Sequence, residues 1–173
     1  MPRPYSAALP IAYVVLRLLI LLNWFWGLAI LVLLIVMPHE QWIMSALKLT
    51  PSPEAERVVW GLRAIALVGL VTIPLNYAIL KRLVAMTETV RAGDPFVAAN
   101  AYRLNAIAWI LLGLQLLGLV VAAIVRVIST TEHPVDIDAG FSINGWLAVL
   151  LTFVLARIFA VGTLMREDLE GTV

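Results

Sequence analysis

Four long apolar runs divide the chain, at residues 11–37, 58–80, 104–128 and 146–165, separated by stretches that carry most of its charge, Pro and small polar residues. About 20 helical residues cross roughly 30 Å of hydrocarbon, so each run is long enough to span a bilayer. None alternates apolar and polar positions as a barrel strand does. A lone segment in lipid must satisfy its own backbone N–H and C=O groups, which makes each run a helix. The first run is longer than a signal-peptide core and no small-x-small site follows it, so it is read as a retained span. The pattern predicts an all-α, polytopic membrane protein: a four-transmembrane-helix bundle forming one domain over residues 1–173.

Orientation follows from the short loops, because Lys and Arg concentrate on the cytoplasmic side. Lys81, Arg82, Arg91 and Arg103 lie between the second and third runs, Arg3 precedes the first and Arg166 closes the fourth. The other side holds Lys48 and Arg57, with Arg126 at the membrane edge. Both termini and the central connection are therefore placed in the cytoplasm.

That central connection reads as helix rather than loop. Residues 81–91 are good helix formers, Gly93 is a natural C-terminal stop, Asp94 an N-cap and Pro95 a first-turn residue. The expectation is a cytoplasmic helical hairpin extension between helices 2 and 3, standing a few turns out of the membrane and starting its second arm at Pro95. Its apolar residues either cover one another or dock a soluble partner, and Asp94, Phe96, Asn100 and Arg103 are the candidate contacts. Glu167, Asp168 and Glu170 follow a helix C-terminus that already carries partial negative charge. The tail, with Glu167 and Asp168 as further partner-binding candidates, is expected to lie against Lys81, Arg82 and Arg103.

Composition sharpens the picture. Of 173 residues 62% are hydrophobic and 13% charged, with a mean hydropathy of +0.99, the balance of a chain whose solvent is lipid. The net charge of +1 offers no basic surface for direct nucleic-acid binding. Cys is 0, which removes disulfides, thiolate metal sites and thiol nucleophiles. His39 and His133 both lie outside the runs, so no axial haem ligand is available within the bundle. Glu132, His133, Asp136 and Asp138 match no established ion loop and read as solvated. No phosphate loop, nucleophile elbow or metalloprotease helix occurs. The runs also hold no Asp or Glu for proton-coupled export. The expectation is a non-enzymatic protein without cofactor or metal.

Polar groups inside the runs are the remaining candidates. Arg17, Arg63 and Arg126 lie near enough to span ends to snorkel. Arg157 sits about 12 Å from the inner end of its run at 1.5 Å per residue, and an arginine at such depth is costly. Asn23 and Asn76 come to similar depth and Gln115 lies near the middle, which predicts a polar layer of Arg157, Asn23, Asn76 and Gln115. The layer is either interhelical glue or a site for a small anion or anionic lipid. The pairs Gly118/Ala122 and Ala156/Ala160 permit close helix approach.

The stretch Gly93-Asp94-Pro95-Phe96-Val97-Ala98-Ala99-Asn100, with Arg103-Leu104 beyond it, and the ending Ala156-Arg157-Ile158-Phe159, Gly162 and 166–173 resemble a bacterial membrane family, domain of unknown function 2975. The resemblance implies four spans in a bacterial inner membrane and frequent encoding beside a small helix-turn-helix regulator. It implies no activity. Three functions are expected from residues and resemblance together. The first is a regulatory or sensory protein holding a cytoplasmic partner, such as a helix-turn-helix transcription regulator, through residues 81–103 and the tail. The second is a small-molecule- or lipid-binding protein or transporter component acting through Arg157. The third is an assembly subunit of a larger membrane complex, or a homo-oligomer.

Overall fold

A computed structural model of the chain describes residues 8–36, 52–129 and 140–170. These form four helices, α1 (Ala8–Val36), α2 (Pro53–Arg91), α3 (Ala98–Ile128) and α4 (Ile143–Glu170), with no strand among the described residues. Each helix is long and apolar enough to cross a membrane. Lys48, His39, the acidic cluster around His133 and most of the α1–α2 and α3–α4 connections lie outside the described residues, as do Arg3 and the last three residues.

Local chemistry sets the helix ends. Ser52 caps α2, its Oγ accepting from the Ala55 N–H at 3.1 Å. Pro53 occupies the first position, and Glu54 and Glu56 complement the dipole in the first turn. At the other end Gly93 adopts φ 86°, the left-handed conformation a side chain resists. The Gly93 N–H reaches Val90 O at 3.1 Å and the Asp94 N–H reaches Thr89 O at 3.0 Å, the paired bonds of a Schellman stop. The expected start of the next helix at Pro95 is corrected by three residues, to Ala98. Asp94 does not cap it: its N–H closes α2 and its carboxylate is held by Arg166.

Two units make up the chain. The second unit contains residues 24–74 and 114–142. Its core includes Ala55, Val58, Val59, Ile73 and Ile128, and small residues allow the helices there to meet. A Cβ on Gly61 would come within 2.3 Å of Ile128, and one on Gly27 within 3.0 Å of Ile73. The Gly118/Ala122 stripe faces the segment leading into α4, since a Cβ on Gly140 would lie 3.3 Å from Ala122.

The first unit holds α1 up to Asn23, residues 75–113 and α4. Buried within it are Val84, Leu104, Ile107, Ala108, Val149 and Ala156, and the polar pair Asn100 and Thr163. Here α2 runs on past Leu80 to Arg91 as expected, but a hairpin standing apart from the other helices is not supported. The turn between α2 and α3 does not stand clear of the other helices. Arg91 lies over the Tyr13 ring near the start of α1, at 5.6 Å from its centroid. Asp94 pairs with Arg166, the last residue of the fourth apolar stretch. Phe96 packs on Phe159 of α4, ring centroids 5.2 Å apart. Residues past Leu80 continue the helix and bury Val84 inside the unit.

Candidate functional site

The first unit contains a pocket of about 560 Å³ between the first two turns of α3 and the second half of α4. Ala98, Ala101, Tyr102 and Asn105 line it from α3, and Phe153, Ala156, Arg157, Ala160, Thr163 and Leu164 from α4. Each set recurs at three- and four-residue steps, so each is one face of its helix. Alanine at four of these positions leaves the space that larger side chains would fill. The Ala156/Ala160 pair, expected to bring helices together, instead lines a gap.

Aromatic contacts brace both ends of this gap. Trp109 meets Phe153 edge-on, at 5.4 Å and 88°. Phe96 lies against Phe159 and covers Gly162, where an added Cβ would fall 3.1 Å from the ring. Glycine at 162 is therefore the residue that lets the Phe96 ring approach α4. The Thr163 hydroxyl donates to Phe159 O at 2.9 Å, which satisfies it inside its own helix.

Arg157, Tyr102 and Asn105 are the exposed polar members of the lining, with Tyr102 77% exposed. The pocket is thus open to the exterior. Among the described residues no hydrogen bond or ion pair holds Arg157. The lining is chemically one-sided: a full positive charge, an amide and a phenol, apolar walls and no carboxylate. Such a set accepts an anionic head and shelters an apolar body.

Of the polar layer expected around Arg157, only Arg157 is found here. Asn23 and Asn76 belong to the first unit but do not line the pocket, and Gln115 belongs to the second unit. Residue counts give a position along a helix, but not the direction in which a side chain leaves it. Asn105 and Tyr102 take the places of the expected amides. Their signal was present in the small-and-polar stripe 98, 101, 102, 105.

Four of the residues expected to bind a partner, Asp94, Phe96, Asn100 and Arg103, are engaged within the chain. Asn100 is fully buried, its Nδ2 donating to Thr89 Oγ1 at 2.7 Å and to Pro95 O at 2.9 Å. Its Oδ1 accepts from Arg103 Nη1 at 2.7 Å, and Arg103 also reaches Ala85 O at 3.4 Å. With no exposed surface, Asn100 is corrected from a docking residue to an internal one. Phe96 remains 42% exposed while packing on α4. The fourth helix does meet the turn, but with the charges reversed from expectation. Basic Arg166 pairs with acidic Asp94, while Arg82 donates to Ala78 O at 2.8 Å in its own helix. Asp168 is exposed on the last turns of α4, and the Glu167 side chain lies outside the described residues.

A family model described as Protein of unknown function (DUF2975) matches residues 44–173, a range that contains both stretches on which the resemblance rested. No curated protein and no solved structure matches the chain.

Proposed function

The chain belongs to the DUF2975 family of proteins of unknown function, and we propose that it is a non-enzymatic, multi-pass membrane protein that binds an anionic amphiphile between α3 and α4. The observation that carries this reading is Arg157 in an open, apolar-walled pocket, held by no hydrogen bond or ion pair among the described residues. A cation within a membrane-spanning helix is costly and calls for a counter-charge. The lining supplies none, so the ligand supplies it. The volume suits a small organic molecule. Asn105 and Tyr102 would add hydrogen bonds to its head, while Phe153, Leu164 and the alanines receive its body.

The family resemblance supports a bacterial inner-membrane location, and the Lys and Arg distribution supports an α2–α3 turn facing the cytoplasm, which would put this pocket in the inner half of the bilayer. A regulatory role joins the same reading. The Asp94–Arg166 pair is half exposed, with side-chain exposures of 42% and 43%. A charged soluble partner such as a helix-turn-helix regulator can compete for either member. The turn braces the two helices that wall the pocket, so ligand occupancy and partner access would be coupled.

Binding is tested by native mass spectrometry of the full chain titrated with a fatty acid and with its uncharged methyl ester. The account expects a one-to-one adduct with the acid, roughly tenfold weaker with the ester, consistent with loss of about 1.4 kcal/mol of charge-dependent binding. Arg157→Leu should remove the acid preference while leaving helix content unchanged. Equal binding of acid and ester, or an unchanged preference in Arg157→Leu, contradicts it.

A further inference from the structure

A second cationic cluster lies where α1 begins and α2 ends, and the pocket does not use it. Arg17, one turn after Tyr13 on α1, donates from Nε and Nη2 to Tyr13 Oη at 3.2 and 2.9 Å. Its guanidinium carbon stands 5.3 Å from the Tyr13 ring centroid. Arg91, the last residue of α2, approaches the same ring at 5.6 Å. The two guanidinium carbons are therefore separated by no more than about twice that distance. Both arginines are exposed, and among the described residues neither forms a salt bridge.

Two cations on one tyrosine repel each other unless an anion joins them. Glu88, one turn back on α2, is exposed and its field reaches Arg17. It forms no salt bridge with either arginine among the described residues, and it leaves one positive charge in excess. The Tyr13 oxygen accepts both Arg17 bonds, which leaves the phenol proton to donate outward. What the cluster presents is a set of donors: the remaining N–H groups of Arg17, those of Arg91 and one O–H. Phosphate oxygens match such a set, and arginine forks bind them in paired geometry. Directly along α1, Val14, Leu18 and Leu21 are exposed apolar residues on a helix suited to lipid.

We infer that Tyr13, Arg17 and Arg91 form a headgroup site for an anionic phospholipid, its phosphate held between the two guanidinium groups and its acyl chains running along α1. This site is separate from the Arg157 pocket and does not rest on its reading.

The test is native mass spectrometry of the full chain released from mixed micelles of phosphatidylglycerol and phosphatidylcholine, with and without millimolar inorganic phosphate. Wild type should retain phosphatidylglycerol several-fold over phosphatidylcholine, and inorganic phosphate should leave that ratio unchanged. Arg17→Gln with Arg91→Gln should bring the ratio to near parity, Tyr13→Phe should lower it partway, and Arg157→Leu should not move it. An unchanged helix content by circular dichroism and an unchanged unfolding midpoint in a detergent titration show that the double variant is folded. A ratio unaltered in the double variant overturns the site. Displacement of the lipid by inorganic phosphate overturns the lipid as its ligand and assigns the cluster to soluble phosphate.

Discussion

Asn100 has no exposed surface, yet both its donor and acceptor ends are occupied, by Thr89, Pro95 and Arg103. One amide thereby ties the end of α2, the turn and the first turn of α3 together, and Thr89 passes the connection on by donating to Met86 O at 2.8 Å. Buried polar groups that are fully satisfied specify a local conformation, and removing one partner leaves the others unmatched. Asn100→Ala should therefore lower stability by about 1–3 kcal/mol, read as an earlier unfolding midpoint in a detergent titration. An unshifted midpoint would mean that the network contributes nothing. The sequence marked Asn100 as noteworthy but assigned it to the surface. Polar character identifies a residue that needs partners, not whether those partners are its own chain's. Arg157 carries the same lesson in the other direction. Its position along α4 follows from counting residues, whereas its neighbours Tyr102 and Asn105 are set by helix rotation.

At the scale of elements, an apolar and a charged contact hold the turn from α2 to α3 to α4. Phe96 against Phe159 and Gly162 is the apolar one, and its closeness depends on the missing Cβ at 162. Asp94 with Arg166 is the charged one, and a half-exposed pair of this kind contributes about 0–1 kcal/mol. Asp94→Arg or Arg166→Asp alone should each lower the melting temperature slightly by placing like charges together. The double exchange should recover most of the loss. Non-additivity below about 0.3 kcal/mol in a double-mutant cycle would show the pair to be incidental. The stop at Gly93 was readable because few residues tolerate φ near +86°. The start of α3 was less readable. Asp94 is a good cap by type, but Arg166 from a distant stretch of chain claims its carboxylate, and local sequence does not encode that competition.

The whole molecule is turned outward relative to a soluble protein. Leu21, Phe25, Ile35, Val127 and Leu150 are each at least 60% exposed, and the apolar window of α1 is only 6% buried. In water this surface would drive aggregation; in lipid it is the surface a spanning helix presents. The four spans were legible from hydropathy because that one property decides which solvent a helix face meets. The continuation of α2 past Leu80 was legible as well; the contacts around the turn that follows were not. Residues 81–91 read as helix, and α2 does continue through them as a 39-residue helix, but that its last residue would lie over Tyr13 of α1, and that Asp94 in the turn would pair with Arg166 of α4, is not encoded locally. At 1.5 Å per residue α2 is about 58 Å long, longer than the roughly 40–45 Å of a bilayer with its headgroups, so it has length enough to carry its charged ends clear of the hydrocarbon.

The claim on which the rest depends is that these helices thread the bilayer with the α2–α3 turn on the cytoplasmic side. The chain contains no cysteine, so single cysteines report their side of the membrane without background. Ala92→Cys in that turn and Ser142→Cys before α4, both at exposed positions, can be treated with a membrane-impermeant maleimide in intact spheroplasts and again after lysis. The account predicts that Ser142→Cys is labelled in intact spheroplasts and Ala92→Cys only once they are opened. Labelling of Ala92→Cys from outside contradicts it.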